Sequence, residues 1–116
     1  MNRFRAKLGD NDPNTLGAMN NLALACNKQG KYSDAEALYK QCLAKEKVVP
    51  GENHPYTIGT MSSLADTYKN QGKNREAEAL YKQCLAKMKV VLGENHPHTL
   101  DTMSSLAKLQ SQMQLG

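Results

Sequence analysis

Shifted by 42 residues, the chain superimposes on itself. With Gly9, Gly51 and Gly93 aligned, Pro13, Pro55 and Pro97 follow, then Thr15, Thr57 and Thr99, then Leu22-Ala23, Leu64-Ala65 and Leu106-Ala107. Residues 9–50 and 51–92 agree at 25 of 42 positions, and the block Ala-Glu-Ala-Leu-Tyr-Lys-Gln-Cys-Leu-Ala-Lys stands at both 35–45 and 77–87. A period of this length is too short to bury a core alone and too regular to be chance. It implies an array in which each unit hides its apolar side against the next.

Each unit reads as two helices. Asp12-Pro13 opens the first, the aspartate as cap and the proline where a helix start has no use for an N–H. Helix A then runs from about 13 to 28, with Leu16, Met19, Leu22, Ala23 and Cys26 three or four residues apart on one stripe. Gly30 supplies the left-handed conformation that ends it. Helix B is expected to start near Ser33, with Glu36 as capping-box partner, and carries Ala35, Leu38, Tyr39, Cys42 and Leu43 on a single face. The second unit repeats the pattern with Ile58, Met61, Leu64, Ala65 and Tyr68, then Ala77, Leu80, Tyr81, Cys84, Leu85 and Met88. Alanines at 23, 35, 65 and 77 let the helices approach closely, and a leucine there would overpack.

The third unit stops after its helix A, about 97–114, with Gln110 where the preceding unit has Tyr68; this glutamine-rich end reads as a wetter terminal cap. Arg3 to Leu8 align with the last turns of helices B, Lys45 to Pro50 and Lys87 to Leu92, as if the chain began inside one. The expected organisation is a single solenoid over 1–116: a remnant helix B at 1–8, repeats at 9–50 and 51–92, and a half repeat at 93–116. The fold class is all-α, an alpha-alpha superhelix of about five helices. Such an array is either cut from a longer one or a minimal relic.

Several function classes are disfavoured by what the residues lack. No apolar run approaches the length of a membrane span, and the basic start is not followed by the apolar stretch of a secretory signal. Cys26, Cys42 and Cys84 are odd in number, lack CxxC spacing and fall on apolar stripes, which fits a reducing, cytoplasmic compartment. The net charge of +4 and pI near 9.0 owe much to Lys40, Lys45, Lys47, Lys82, Lys87 and Lys89 on helices B, a pattern of a solvated face rather than a nucleic-acid footprint. His54, His96 and His98 could suggest a metal, but His54 and His96 stand where the first unit has Asp12, and capping explains them. Cys42 and Cys84 read as packing residues, not nucleophiles or zinc ligands. Gly72-Lys73 lacks the strand and the spacing of a phosphate loop. Tyr39 and Tyr81 read as core plugs with a wet hydroxyl. No residue set supports catalysis, and no cofactor is implied.

With Gly30 and Gly72 as turn glycines, Met19, Leu22, Ala23, Cys26, Tyr32, Ala35, Tyr39 and Cys42 occupy the signature places of the tetratricopeptide repeat (TPR), as do Met61, Leu64, Ala65, Tyr68, Ala77, Tyr81 and Cys84. The unit exceeds the usual 34 residues by eight, and its Gly-Glu-Asn-His-Pro joints at 51–55 and 93–97 resemble the kinesin light chain branch.

That resemblance implies a right-handed superhelix whose concave wall is formed by helices A. Carried over by position, the wall would hold Gly17, Asn20, Leu24, Asn27 and Lys28, then Gly59, Ser62, Asp66, Lys69 and Asn70, then Asp101, Ser104, Lys108, Ser111 and Gln112. Asn20, Asn27 and Lys28 lead the candidate set. Amides, hydroxyls and lysines suit the backbone and carboxylates of an extended peptide, and the resemblance suggests acidic cargo. Two departures oppose that: Ser62-Ser63 and Ser104-Ser105 replace the longer Asn20-Asn21, and Asp66 and Asp101 would repel an acidic chain. Leu24, Ser63, Asp101 and Ser105 likewise ill suit a clamp for a C-terminal carboxylate. The expected partner is a protein or short peptide, not a nucleic acid or membrane. The alternative is self-assembly through apolar solenoid ends, for which Val48, Val49, Val90, Val91, Leu109 and Met113 are candidates.

Overall fold

A computed structural model describes residues 13–115. The expected cap Asp12 and the expected helix B remnant at 1–8 lie outside the described residues, as does the side chain of Val49. Regular structure among the described residues is entirely helical: α1 (Pro13–Lys28), α2 (Tyr32–Glu46), a π-helical turn (Lys47–Gly51), α3 (Pro55–Asn70), α4 (Asn74–Val91) and α5 (Pro97–Leu115). Each helix packs on its neighbours in sequence, and helices A also touch through α1 and α3. A radius of gyration of 14.7 Å and extents of 49 × 31 × 18 Å exceed the ~13 Å radius of a compact chain this long, as stacking in a row requires.

The turns between helices are set by glycine. Gly30 and Gly72 adopt φ of 82° and 81°, and the following lysine N–H reaches back along the chain, Lys31 to Cys26 O (2.8 Å) and Lys73 to Tyr68 O (2.9 Å). This Schellman arrangement satisfies carbonyls at the helix end and leads the chain directly into helix B. Helix α2 therefore starts at Tyr32, one residue before the expected cap, and Lys31 at its N-cap makes no side-chain bond. The expected Ser33–Glu36 capping box does not form. Glu36 instead pairs with Lys40 (2.7 Å) and with Lys73 of the next unit (3.2 Å).

The two linkers differ for a covalent reason. Leu92 donates its N–H to Met88 O (2.7 Å) and α4 runs on to Val91, but Pro50, at the equivalent place, has no N–H to give Glu46 O. The helix widens into a π turn there, and the buried Thr57 hydroxyl, at the start of α3, donates its one proton toward Gly51 O (2.7 Å), with Glu46 O also within reach (3.2 Å). The Thr57 hydroxyl thus fastens one unit to the next at this π turn.

Most of the predicted stripes form the core. Ala23, Ala35, Tyr39, Leu43, Ile58, Met61, Leu64, Cys84 and Met88 make one cluster, and Ala65, Ala77, Tyr81, Leu106 and Leu109 a second. Tyr68 and Leu80 pack against both, so the core is continuous along the stack. Two expectations fail at the ends. Leu22 is 55% exposed although its counterpart Leu64 is buried, because Leu64 lies under α2 whereas no described helix precedes α1. Leu109, expected on an open end, is fully buried against α4 residues, with Met113 half-buried beside it. Gln110 is half-buried, and its amide donates to Glu78 of α4 (3.1 Å), so it braces the last joint rather than only wetting an outer face.

Candidate functional site

Helices α3 and α5, with the end of α4, leave a cleft of about 620 Å³ between them. Its walls are Pro55, Tyr56, Gly59, Ser62 and Asp66 of α3 and His98, Asp101, Thr102 and Ser105 of α5, with His96 at the joint. Ile58, Met88 and Leu92 supply the apolar floor; Ile58 and Met88 are buried there. Gly59 contributes width, since a Cβ added to it would meet nothing within 4 Å.

Of the fifteen wall candidates, Gly59, Ser62, Asp66 and Asp101 line this cleft. Asp66 is held from behind: the Tyr81 hydroxyl donates to its Oδ1. Burial and this carboxylate push the Tyr81 phenol well above its ordinary range. Tyr39, in the unit that has Leu24 where the next has Asp66, bonds with Ser63, and burial raises its phenol too. Both tyrosines are core plugs as expected, but at 1% exposure their hydroxyls meet protein rather than water.

Asn20 has a different environment from the one expected. It is half-buried, and its amide donates to Thr60 Oγ1 of α3 (3.1 Å) and to Cys42 Sγ of α2 (3.2 Å). Both donors knit helices together, which leaves its carbonyl oxygen to offer a partner. Asn27 and Asn70 join the ends of α1 and α3 through an exposed amide contact (3.3 Å). Leu24, Lys28, Lys69, Ser104 and Lys108 are solvent-exposed and lie outside the cleft.

The histidines at the joints act as caps. His54 Nδ1 accepts the Tyr56 N–H and His96 Nδ1 accepts the His98 N–H, both at 3.1 Å. The imidazole does here what an aspartate does at an N-cap. Among the described residues, no three His, Cys, Asp or Glu side chains gather as a metal site. Burial pushes the thiols of Cys42 and Cys84 up to about 12, and they donate to Leu16 O (3.6 Å) and Ile58 O (3.3 Å). Thiols so far from ionisation and so enclosed are poor nucleophiles.

Glu46 escapes a reading of the sequence. It is only 4% exposed, at the place where the second unit has Met88, and its carboxyl lies against the Thr60 hydroxyl and the Cys42 thiol. One oxygen, Oε1, has no partner, and burial raises the carboxyl above its ordinary range. The available signal is a lone acid on a stripe whose next copy is apolar.

None of the described helices is long and apolar enough to cross a membrane. The sequence matches no curated protein. Its backbone is similar to the crystal structure of a Podosopora anserina protein described as a kinesin light chain with nearly identical TPR-like repeats: TM-score 0.84, 28% identity, 92% of this chain and 51% of that one. A single-substitution variant of the same protein gives 0.79, 28%, 95% and 53%. The chain spans about half the length of these relatives. A family model for the tetratricopeptide repeat matches residues 1–45, 19–89 and 56–115, following the 42-residue period that the helices obey. That family consists of non-catalytic scaffolds that mediate protein–protein interaction, and on repeat, fold and match together this chain belongs to it, with repeats of the kinesin light chain-like type.

Proposed function

We propose that the chain holds an extended peptide segment of a partner protein along the inner wall of helices α1, α3 and α5, as an adaptor of the kinesin light chain-like kind. The cleft between α3 and α5 carries this reading: an apolar floor under Ser62, Ser105, Asp66 and Asp101 offers burial for a side chain and convergent polar groups to orient it. Beyond it the wall continues in the half-buried Asn27 and the exposed Lys28, Lys69, Asn70 and Lys108, able to meet a peptide backbone or carboxylate. Three free cysteines support a reducing compartment such as the cytoplasm.

Capturing partners on the immobilised chain, and then mapping the bound segment by amide shift changes, tests the proposal. Shifts should concentrate on the inner faces of α3 and α5. Shifts confined to the lysine-bearing faces of α2 and α4, around Lys40, Lys82 and Lys89, would place the partner elsewhere.

A second reading, self-association, has its own observation. Leu100 and Met103 of α5 are 48% and 41% exposed, while Ile58 and Met61, one repeat earlier, are buried in the cluster that includes α4. An open face built to meet a helix B supports docking of another repeat of the same kind. Of the end residues expected from sequence, Val48, Val90 and Val91 are also exposed. Light scattering over a concentration series separates this reading from a monomeric adaptor.

A further inference from the structure

We infer that the cleft between α3 and α5 takes a cationic side chain, lysine or arginine, from the bound segment; this rests on the groove reading above and adds the partner's chemistry to it. The chain as a whole carries a net charge of +4, yet the residues lining this cleft include Asp66 and Asp101 and no lysine or arginine. An acidic recess in a basic protein is where a cation gains most and an anion loses most.

The shape of the lining suits an amphipathic cation. Leu92 is half-buried and offers apolar surface to a methylene stem above the enclosed Ile58 and Met88, while Asp101, exposed on one wall, and the half-buried Asp66 on the other, whose second carboxylate oxygen is not engaged by Tyr81, are partners for its charged head. Ser62 and Ser105 add hydroxyl oxygens that can accept hydrogen bonds, and Tyr56, 68% exposed, presents a ring at the rim.

The feature that could instead draw an anion is the N-terminus of α5. Its free N–H groups and dipole would favour negative charge, but His96 Nδ1 already accepts the His98 N–H. His54 does the same for α3. Each such bond takes up one of the free N–H groups that an anion at the helix start would need. The exposed Lys69 and Lys108 lie outside the lining, where they can meet acidic residues flanking the cation.

Three acetylated, amidated octapeptides of serine and valine, differing only in a central Arg, Gln or Glu, test the inference by titration into the labelled full chain up to millimolar concentration. The arginine peptide is expected to bind about tenfold tighter than the glutamine peptide, and the glutamate peptide most weakly, as charge-assisted pairing with two carboxylates implies. Its shifts should fall on Gly59, Ser62, Thr102 and Ser105. Asp101 is exposed, so Asp101→Asn should fold normally and reduce the preference, and Asp101→Lys should reverse it. Equal affinities, or tightest binding of the glutamate peptide with the same shifts, would overturn the cation and leave the groove standing. Absence of binding by all three, or shifts confined to α2 and α4, would overturn both.

Discussion

Glu46 and Met88 occupy the same place in successive units, each 4% exposed, and the hydroxyls of Thr60 and Thr102 meet them in turn: Thr60 hydrogen-bonds the carboxyl, and Thr102 donates to Met88 Sδ (3.2 Å). The two joints are thus built alike, but one encloses a carboxyl with an unpartnered oxygen where the other has a thioether. Replacing Glu46 by the residue its neighbour uses should stabilise the fold by about 1–2 kcal/mol, because an incompletely satisfied buried polar group gives way to a packed apolar one. Urea melts of Glu46→Met at neutral pH test this, and a loss of stability would show that the carboxyl is better accommodated than its contacts suggest.

The pH dependence of that substitution has a definite sign. A carboxyl raised by burial binds its proton more tightly when folded, so its penalty is present at neutral pH and is relieved as pH falls through the raised value, fully so below the unfolded one. The advantage of Glu46→Met over the parent should therefore shrink on mild acidification. Paired melts at neutral pH and at a pH near the ordinary carboxylate value measure the difference.

Glu36 should behave in the opposite way. Lys40, Gln71 and Lys73 hydrogen-bond its carboxylate and hold it down at about 2 from an ordinary 4.5, so its contribution is present above 4.5 and lost as pH falls from there toward 2. Lys40 and Lys73 are themselves half exposed, which limits the contribution to about 1 kcal/mol or less. Glu36→Gln should lower neutral-pH stability by that amount and remove part of the acid-side decline. Identical acid profiles for the two proteins would contradict the assignment. The same node holds Lys40 and Lys73 at 5.8 Å from the Tyr68 ring, and so ties α2 to both elements of the second unit.

Leu22 and Leu64 share a sequence position but not a surrounding. Leu64→Ala should cost about 2–4 kcal/mol by opening a cavity, whereas Leu22→Ala, at a site 55% exposed, should cost under about 1 kcal/mol. Thermal or urea melts of the two variants measure both, and equal losses would mean that Leu22 is covered in solution.

This pair also shows what the sequence can and cannot disclose. Periodicity reports which side of a helix is apolar, and it locates the helices and nearly the whole core because Ala23, Tyr39, Ile58, Cys84 and their partners are buried by neighbours of the same repeat. It does not disclose what covers the outer sides of the first and last described helices, so it misplaces Leu22 and Leu109. The cleft is half legible for a related reason. Ser62 and Asp66 follow from the stripe on α3, but Met88 and Leu92 enter from the end of α4, and His96 from a linker, which no single-helix stripe contains. Asn20 reads as a wall residue because its amide chemistry is visible in sequence, while the Thr60 and Cys42 that engage it come from two other helices.

Gly59 offers the most direct test of the claim that helices A stack so as to leave a working wall. It sits inside α3 with open space around its Cβ position, so Gly59→Leu should raise helix stability by about 0.5–1 kcal/mol while filling the cleft. Calorimetric titration of parent and variant with the segment recovered by capture is the measurement. The account predicts at least about a tenfold loss of affinity with folding intact or improved. Unchanged affinity in a folded Gly59→Leu protein would contradict it.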